Sequence, residues 1–431
     1  MPSSKFSQYY RDFTVIIFNS LLLFVAINFL AFWWMKNNRS TDKRDSKYVP
    51  KSFFTAPANY VGQLQDSTNL LYQVYEGYTE EELRNVLSSD LMMVDHPTLG
   101  IMVKPGEEGA FHVGTEGVRF DPIVRPDNVD SLLRSGNAVW CLGGSTTYGY
   151  KIRAAETIPY QLSLADSLDT YINLGVPSYH QNMEINKLMI LLKKGYLPKK
   201  VLFLDGNNDF FSLARMNFHP AEVPSRANLA YPQATNFNNL SKAKNKIHWN
   251  RLPIIFLLQR FSKKQHVDSP KAPGLPYENL NDPNALYFQS IMEHFTAVKK
   301  MTCDTLLQYF PDRILQYYQT NQQFVDKLAQ AYGFEYEFLF QPLGFLHEHN
   351  PFIKDFETLQ NGWACFDVMY NTQQTIRDSI RSGALVNFRD LSYYGADCKT
   401  CFVDLVHYNG FFNQELARSI LAPKQVQVNK Y

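Results

Sequence analysis

Residues 138–149 read AVWCLGGSTTYG, a short apolar run broken by two glycines and a serine. Ala138 to Leu142 has the length and the β-branched and aromatic content of a buried strand. Gly143 and Gly144 let the backbone turn sharply out of that strand. Ser145 then falls where a helix begins, with its hydroxyl at the edge of a sheet. The alternation continues beyond it. Glu156–Leu168 has helical spacing, Tyr171–Leu174 is a second strand ending at Gly175, Met183–Leu192 is helical, and Val201–Leu204 is a third strand ending at Asp205-Gly206. Farther on, Arg313–Tyr332 reads as helix and Glu335–Phe340 as a strand closed by Gln341-Pro342. Cys365–Ser382 is helical, Leu385–Phe388 is the last strand, and Gly410–Leu421 is the closing helix. Strands alternating with helices imply parallel βαβ units. The expected fold is therefore α/β, a three-layer α/β/α sandwich with a mostly parallel sheet.

That domain is expected over 136–425, with an insertion at about 210–310 that breaks the alternation. A smaller accessory region covers 61–135. Its stretch YTEEELRNVLSSDLM reads as a helix with Thr79 as cap and Glu82 as capping-box partner. Short strands follow from His96 to Pro122, with turns at Pro105-Gly106 and Glu116-Gly117. Ahead of it, 36–60 is a polar, basic linker. From Phe13 to Met35 the chain reads FTVIIFNSLLLFVAINFLAFWWM without a charged residue. Such a run is long enough to cross the roughly 30 Å hydrocarbon core of a bilayer, and Trp33 and Trp34 stand where interfacial aromatics belong. Residues 14–35 are therefore read as an uncleaved single-pass anchor after a tail at 1–13. The run is too long for a signal peptide and lacks a small-residue cleavage site. Lys5 and Arg11 precede it, while Lys36, Arg39, Lys43 and Arg44 follow. A count of flanking positive charge alone places the large C-terminal part in the cytoplasm.

Apolar residues make up 45% of the 431 positions and charged residues 19%, a globular rather than disordered composition. The formal net charge of +1 offers no basic excess for nucleic acid.

In open parallel sheets, functional groups collect at the carboxyl ends of strands. The first strand end carries Gly143-Gly144-Ser145-Thr146-Thr147-Tyr148-Gly149. The second carries Asn173-Leu174-Gly175, where Gly175 offers a backbone N–H unobstructed by a side chain. The third carries Gly206-Asn207-Asn208-Asp209, where Asn208 offers an amide donor. Far downstream stands Asp404-Leu405-Val406-His407. Its spacing lets the carboxylate accept from Nδ1–H and leaves Nε2 as a base for a serine. Each piece alone reads as an ordinary turn glycine, helix cap or core histidine.

Together the pieces resemble the SGNH (GDSL-like) hydrolase family in its membrane-anchored bacterial form. The resemblance runs through the Ser145 block with Gly149 four residues on, Gly175, the GxND block at 206–209, the DxxH at 404–407, and the GTEGVR segment at 114–119. Gly144 stands where GDSL enzymes have Asp. The resemblance implies Ser145 as nucleophile, His407 as base and Asp404 as its support. It also implies an oxyanion hole formed by the Ser145 N–H, Gly175 and Asn208, with no cofactor and no metal. The implied function is a serine esterase cleaving O-acyl esters, acetyl among them, on a glycan or lipid-like substrate. Other readings are an acyltransferase of envelope polysaccharide O-acetylation, served by a membrane partner, and a non-catalytic glycan-binding scaffold. The implied location of the catalytic domain is extracytoplasmic (periplasmic), against the charge count.

Of five cysteines, Cys398 and Cys401 form a lone CxxC that reads as a local disulfide or two free thiols, and Cys141 as a core residue. His347-Glu348-His349 is the nearest approach to a metal spacing and reads as ordinary loop polarity. His180 reads as a helix-start residue, and Tyr148 and Arg153 as neighbours of the pocket.

Overall fold

The computed structural model describes residues 73–89, 93–214, 303–353 and 366–423, together with the single position 19. The expected anchor at 14–35, the linker at 36–60 and most of the insertion fall outside the described residues. Among the described residues, no helix is long and apolar enough to cross a membrane.

The accessory region begins with helix α1 (Glu80–Ser88), followed by strands β1 (Met93–His96), β2 (Gly100–Val103), β3 (Gly106–Glu108) and β4 (Phe111–Val113), and helix α2 (Val129–Arg134). Thr79 and Glu82 form the expected capping box: the Thr79 hydroxyl accepts from the Glu82 N–H at 3.2 Å, and the Thr79 N–H donates to the Glu82 carboxylate at 2.9 Å. Strands β1–β2 and β3–β4 are separate antiparallel hairpins. The sandwich then runs β5 (Val139–Gly143), α3 (Ser145–Tyr148), α4 (Ile158–Ala165), β6 (Tyr171–Asn173), α5 (Gln181–Lys193), β7 (Lys200–Asp205) and α6 (Asn207–Ala214). It resumes with α7 (Cys303–Tyr332), β8 (Glu335–Phe340), α8 (Phe366–Arg381), β9 (Phe388–Asp390) and α9 (Gly410–Leu421).

Five strands form one wholly parallel sheet in the order β6-β5-β7-β8-β9. The two-residue period sends alternate side chains to opposite faces. Trp140 and Leu142 pack with α2, α5, α7 and α8, while Val139 and Cys141 pack with α4 and α9. This is the expected α/β/α sandwich. The chain steps from β5 outward to β6, then back across β5 to β7, so the sheet reverses direction between β5 and β7. A crevice opens outside the strand ends at such a reversal. In register, Gly143 pairs with Leu204 and Asp205 with Phe340. The segments that follow β5 and β7 therefore emerge side by side.

Two expectations move. Helix α7 starts at Cys303 and α6 runs to Ala214, so the ends placed at 210 and 310 for the insertion fall inside helices. Pro311 lies within α7. It removes one hydrogen bond there, and burial of Phe310, Ile314, Tyr317 and Tyr318 carries the helix past it. The last strand begins at Phe388 rather than Leu385, because Asn387 takes a left-handed φ of 56° that interrupts extended backbone.

Phe338 lies in β8 between β7 and β9, stacked on Phe203 at 4.8 Å and on Phe388 at 4.6 Å between ring centroids. Phe338→Ala is expected to lower unfolding free energy by about 3–5 kcal/mol in urea titration; a loss under about 1 kcal/mol contradicts this placement of the core.

Candidate active site

Gly144 is the N-cap of α3, and Ser145 is its first residue. At that position a helical N–H has no partner within the helix. Ser145 is partly exposed while its neighbours from Val139 to Tyr150 are all buried. A side chain at 144 would collide with the Asn208 amide and crowd the Tyr179 carbonyl. Glycine at 144 thus leaves space for the Asn208 amide. The adjacent Thr146 hydroxyl donates to Gln341 Oε1 at 2.7 Å, tying the Ser145 turn to the end of β8.

Asp404 and His407 sit in a tight loop closed across its base. The Val403 N–H donates to the His407 carbonyl and the Asn409 N–H to the Cys401 carbonyl, both at 2.9 Å. A disulfide joins Cys398 to Cys401 at the start of this loop. Asn409 caps α9 through the Phe412 N–H at 2.9 Å and donates to the Thr400 carbonyl at 2.8 Å. Within the loop, Asp404 Oδ1 accepts from the Val406 and His407 N–H groups, each at 2.8 Å. His407 Nδ1 lies 2.8 Å from Asp404 Oδ2, and His407 Nε2 lies 2.7 Å from Ser145 Oγ. An ionised carboxylate only accepts, so Nδ1 carries the hydrogen and Nε2 presents its lone pair to the serine. Burial alone pushes the Asp404 carboxyl up, but His407 and then Lys151 outweigh it and hold the group well below the usual carboxylate range.

Two contacts to this dyad come from a turn that sequence reading passed over. Lys151 Nζ lies 3.2 Å from Asp404 Oδ2, with both side chains largely buried. The Tyr150 ring packs on the His407 ring at 5.4 Å. Lys151 adopts φ 64°, a left-handed conformation that costs a residue with a Cβ roughly 1–2 kcal/mol.

Asn208 Nδ2 donates to the Tyr179 carbonyl at 2.7 Å beside Gly144. The Gly175 N–H donates to Asn173 Oδ1 at 3.1 Å. A Cβ at Gly175 would strike the backbone of Thr147 and Tyr148, so the glycine permits close approach of the second strand end to the Ser145 turn. Asn173 Nδ2 holds the Thr147 carbonyl at 3.0 Å and the Tyr148 carbonyl at 3.3 Å. Tyr148 itself is wholly buried, and Arg153, one-third exposed, pairs with Glu156 at 2.5 Å and covers the Tyr78 ring. His180 is the N-cap residue of α5 but its side chain makes no cap bond; its Nδ1 lies 3.3 Å from the Tyr317 hydroxyl.

Beneath the Asn208 turn lie three buried carboxyls, Glu184, Asp205 and Asp209. Asp209 Oδ1 accepts from the Gln181 N–H at 2.9 Å and the Tyr317 hydroxyl at 3.0 Å. Its Oδ2 accepts from the Gly206 N–H at 3.1 Å and the Tyr318 hydroxyl at 3.3 Å. Asp209 thereby pins both the turn carrying Asn208 and the start of α5. Burial pushes its carboxyl up to about 6, against the pull of those donors. Burial, followed by repulsion from neighbouring carboxyls, raises Glu184 and Asp205 further.

Among the described residues no cluster of His, Cys, Asp and Glu suits a metal ion. His347 is buried, its Nε2 is 3.1 Å from the Ser392 carbonyl, and burial lowers it to about 4, so it is neutral. Cys141 is buried in β5 and its thiol is pushed up by burial. No family model and no curated protein matches the chain.

The raised carboxyls set a pH dependence. In the unfolded chain Asp209 titrates near 3.9. Because its folded value is higher, its contribution to stability is complete below about pH 4 and is lost as pH rises through about 6. The wild-type urea midpoint is expected to fall between about pH 4 and about pH 7 more steeply than that of Asp209→Asn. Parallel pH dependences contradict this.

Proposed function

We propose that the chain is a membrane-anchored serine esterase of the SGNH type, with Ser145, His407 and Asp404 as its triad. The observation that carries this reading is the line from Ser145 Oγ through His407 Nε2 and Nδ1 to Asp404, with steps of 2.7 and 2.8 Å across 262 positions of sequence. The position of the triad at the reversal point of the sheet supports it.

In the first step Ser145 Oγ attacks the ester carbonyl while His407 Nε2 takes the hydroxyl proton. The oxyanion is met by the Ser145 N–H and by the second hydrogen of the Asn208 amide, whose first is held by Tyr179. Gly175 brings the second strand end against this turn, but its own N–H is taken by Asn173 Oδ1, which leaves the other two donors to form the hole. Collapse of the tetrahedral species breaks the ester C–O bond, and His407 returns the proton to the leaving alcohol. Water then attacks the acyl-serine with His407 again as base, releasing the acid and Ser145. The ion pair with Asp404 stabilises the imidazolium formed in each half. Ser145 is partly exposed, which gives an incoming hydroxyl access to the acyl-serine.

The substrate class is an O-acyl ester on a glycan or lipid-like molecule. The Cys398–Cys401 disulfide supports an oxidising, extracytoplasmic compartment, with residues 14–35 as the anchor.

Ser145→Ala is expected to lower p-nitrophenyl acetate turnover on the order of 10⁴-fold or more while the thermal melt stays two-state. Unchanged turnover in the folded variant sinks the assignment. Asn208→Ala is expected to reduce kcat about 10²–10³-fold with KM little changed; a loss confined to KM removes Asn208 from the oxyanion hole.

A further inference from the structure

Arg119, the last residue of the GTEGVR segment, is 1% exposed and lies against the rings of Phe111 and Tyr148, 5.0 and 4.9 Å from their centroids. Its N–H donates to the Asn173 carbonyl at 3.0 Å, which docks the segment along the end of β6. Its guanidinium gathers three main-chain carbonyls of a single turn. Nη1 donates to the Tyr148 carbonyl at 2.5 Å and to the Gly149 carbonyl, and Nη2 donates to the Ile152 carbonyl at 2.8 Å. The first acceptor is the last residue of the short helix α3, whose closing carbonyls lack helical partners, and the other two follow it. The turn they define contains two left-handed residues, Gly149 and Lys151. Tyr150, packed on His407, and Lys151, paired with Asp404, lie between the clamped carbonyls.

We propose that Arg119 is a positioning residue for the triad: by clamping the 148–152 turn, it sets Lys151 against Asp404 and Tyr150 against His407. This rests on the esterase reading given above. Only a planar fork reaches three carbonyls arranged around it. A lysine at 119 keeps the charge but not that geometry. The titratable groups around Arg119 are Tyr148, Tyr78, Asp121 and Glu156. Those around Asp404 are His407, Lys151 and the buried Tyr75. A relaxed clamp therefore reaches the dyad through Lys151, whose ammonium pairs with Asp404.

The test compares the full chain with Arg119→Lys, Arg119→Met, Lys151→Met and the double variant R119K/K151M. Each is assayed with p-nitrophenyl acetate across pH, after its thermal melt shows a folded protein. Arg119→Lys is expected to lose about 10–100-fold in kcat with KM within about twofold, as a misplaced catalytic group does. The acid limb of its kcat/KM profile is expected to move toward that of Lys151→Met. In the double variant the two losses should not multiply. A purely architectural arginine would lower the melting temperature and leave the profile of the folded enzyme in place. A folded Arg119→Lys with wild-type kcat, or losses that multiply in the double variant, overturns the proposal. Should neither variant at 119 fold, Lys151→Met decides it: wild-type kcat and profile there remove the route through which Arg119 acts, and a displaced acid limb upholds it. Full turnover in Ser145→Ala would instead overturn the esterase reading, an outcome distinct from all of these.

Discussion

The Asp404 carboxylate is the point on which the candidate site closes. It accepts from two backbone N–H groups of its own loop, from the His407 imidazole and from the Lys151 ammonium. Each donor restrains a different element. The backbone pair fixes the loop between Asp404 and His407, the imidazole reaches across to Ser145, and the ammonium belongs to the turn that leaves α3. Taking such a carboxylate out of water costs several kcal/mol unless charge and hydrogen bonds compensate. The surrounding loops are arranged to supply that compensation. Asn350 adds a hydrogen bond to the Asp404 carbonyl at 3.3 Å, and the Tyr408 hydroxyl binds the Pro342 carbonyl at 2.6 Å. Through these contacts the end of β8 holds the loop from behind.

The accessory region belongs to the same construction. Leu99, Val103, Phe111 and Val113 pack on Tyr148, Tyr150, Val176, Tyr179 and Met183, which lie in the nucleophile turn, the second strand-end loop and the start of α5. Leu83 and Leu87 of α1 pack with Ile152 and Val403, flanking Lys151 and Asp404. Lys187 Nζ donates to the Leu174 carbonyl at 2.8 Å and the Gly117 carbonyl at 3.3 Å, and burial brings its ammonium down to about 7. The hairpins and α1 thus act as a buttress, and the parallel sheet alone would leave those loops uncovered.

The sandwich was legible from sequence because its signals are local. Apolar runs of strand length ended in glycine, and amphipathic segments lay between them. The members of the candidate site were legible because Asp404 and His407 are three residues apart and Ser145 follows a glycine pair. What escaped notice depends on distant pairing. Lys151 gains meaning only when Asp404, 253 positions away, lies beside it. Asn173 looked like an ordinary strand end until its amide reached the Thr147 and Tyr148 carbonyls. Glu184 and Asp205 carried no sign of burial, since acidic residues on a helix and at a strand end usually face water. Pro311 misplaced the start of α7, because the packing of a helix can outweigh one lost hydrogen bond.

The claim at the centre of this account is that Ser145 is a nucleophile activated by His407. Peptide mass mapping of the full chain after treatment with a fluorophosphonate tests it most directly. The account predicts a single covalent adduct on Ser145, formed by the wild type and lost in folded His407→Ala. An absent adduct, an adduct on another residue, or equal labelling without the imidazole would contradict it.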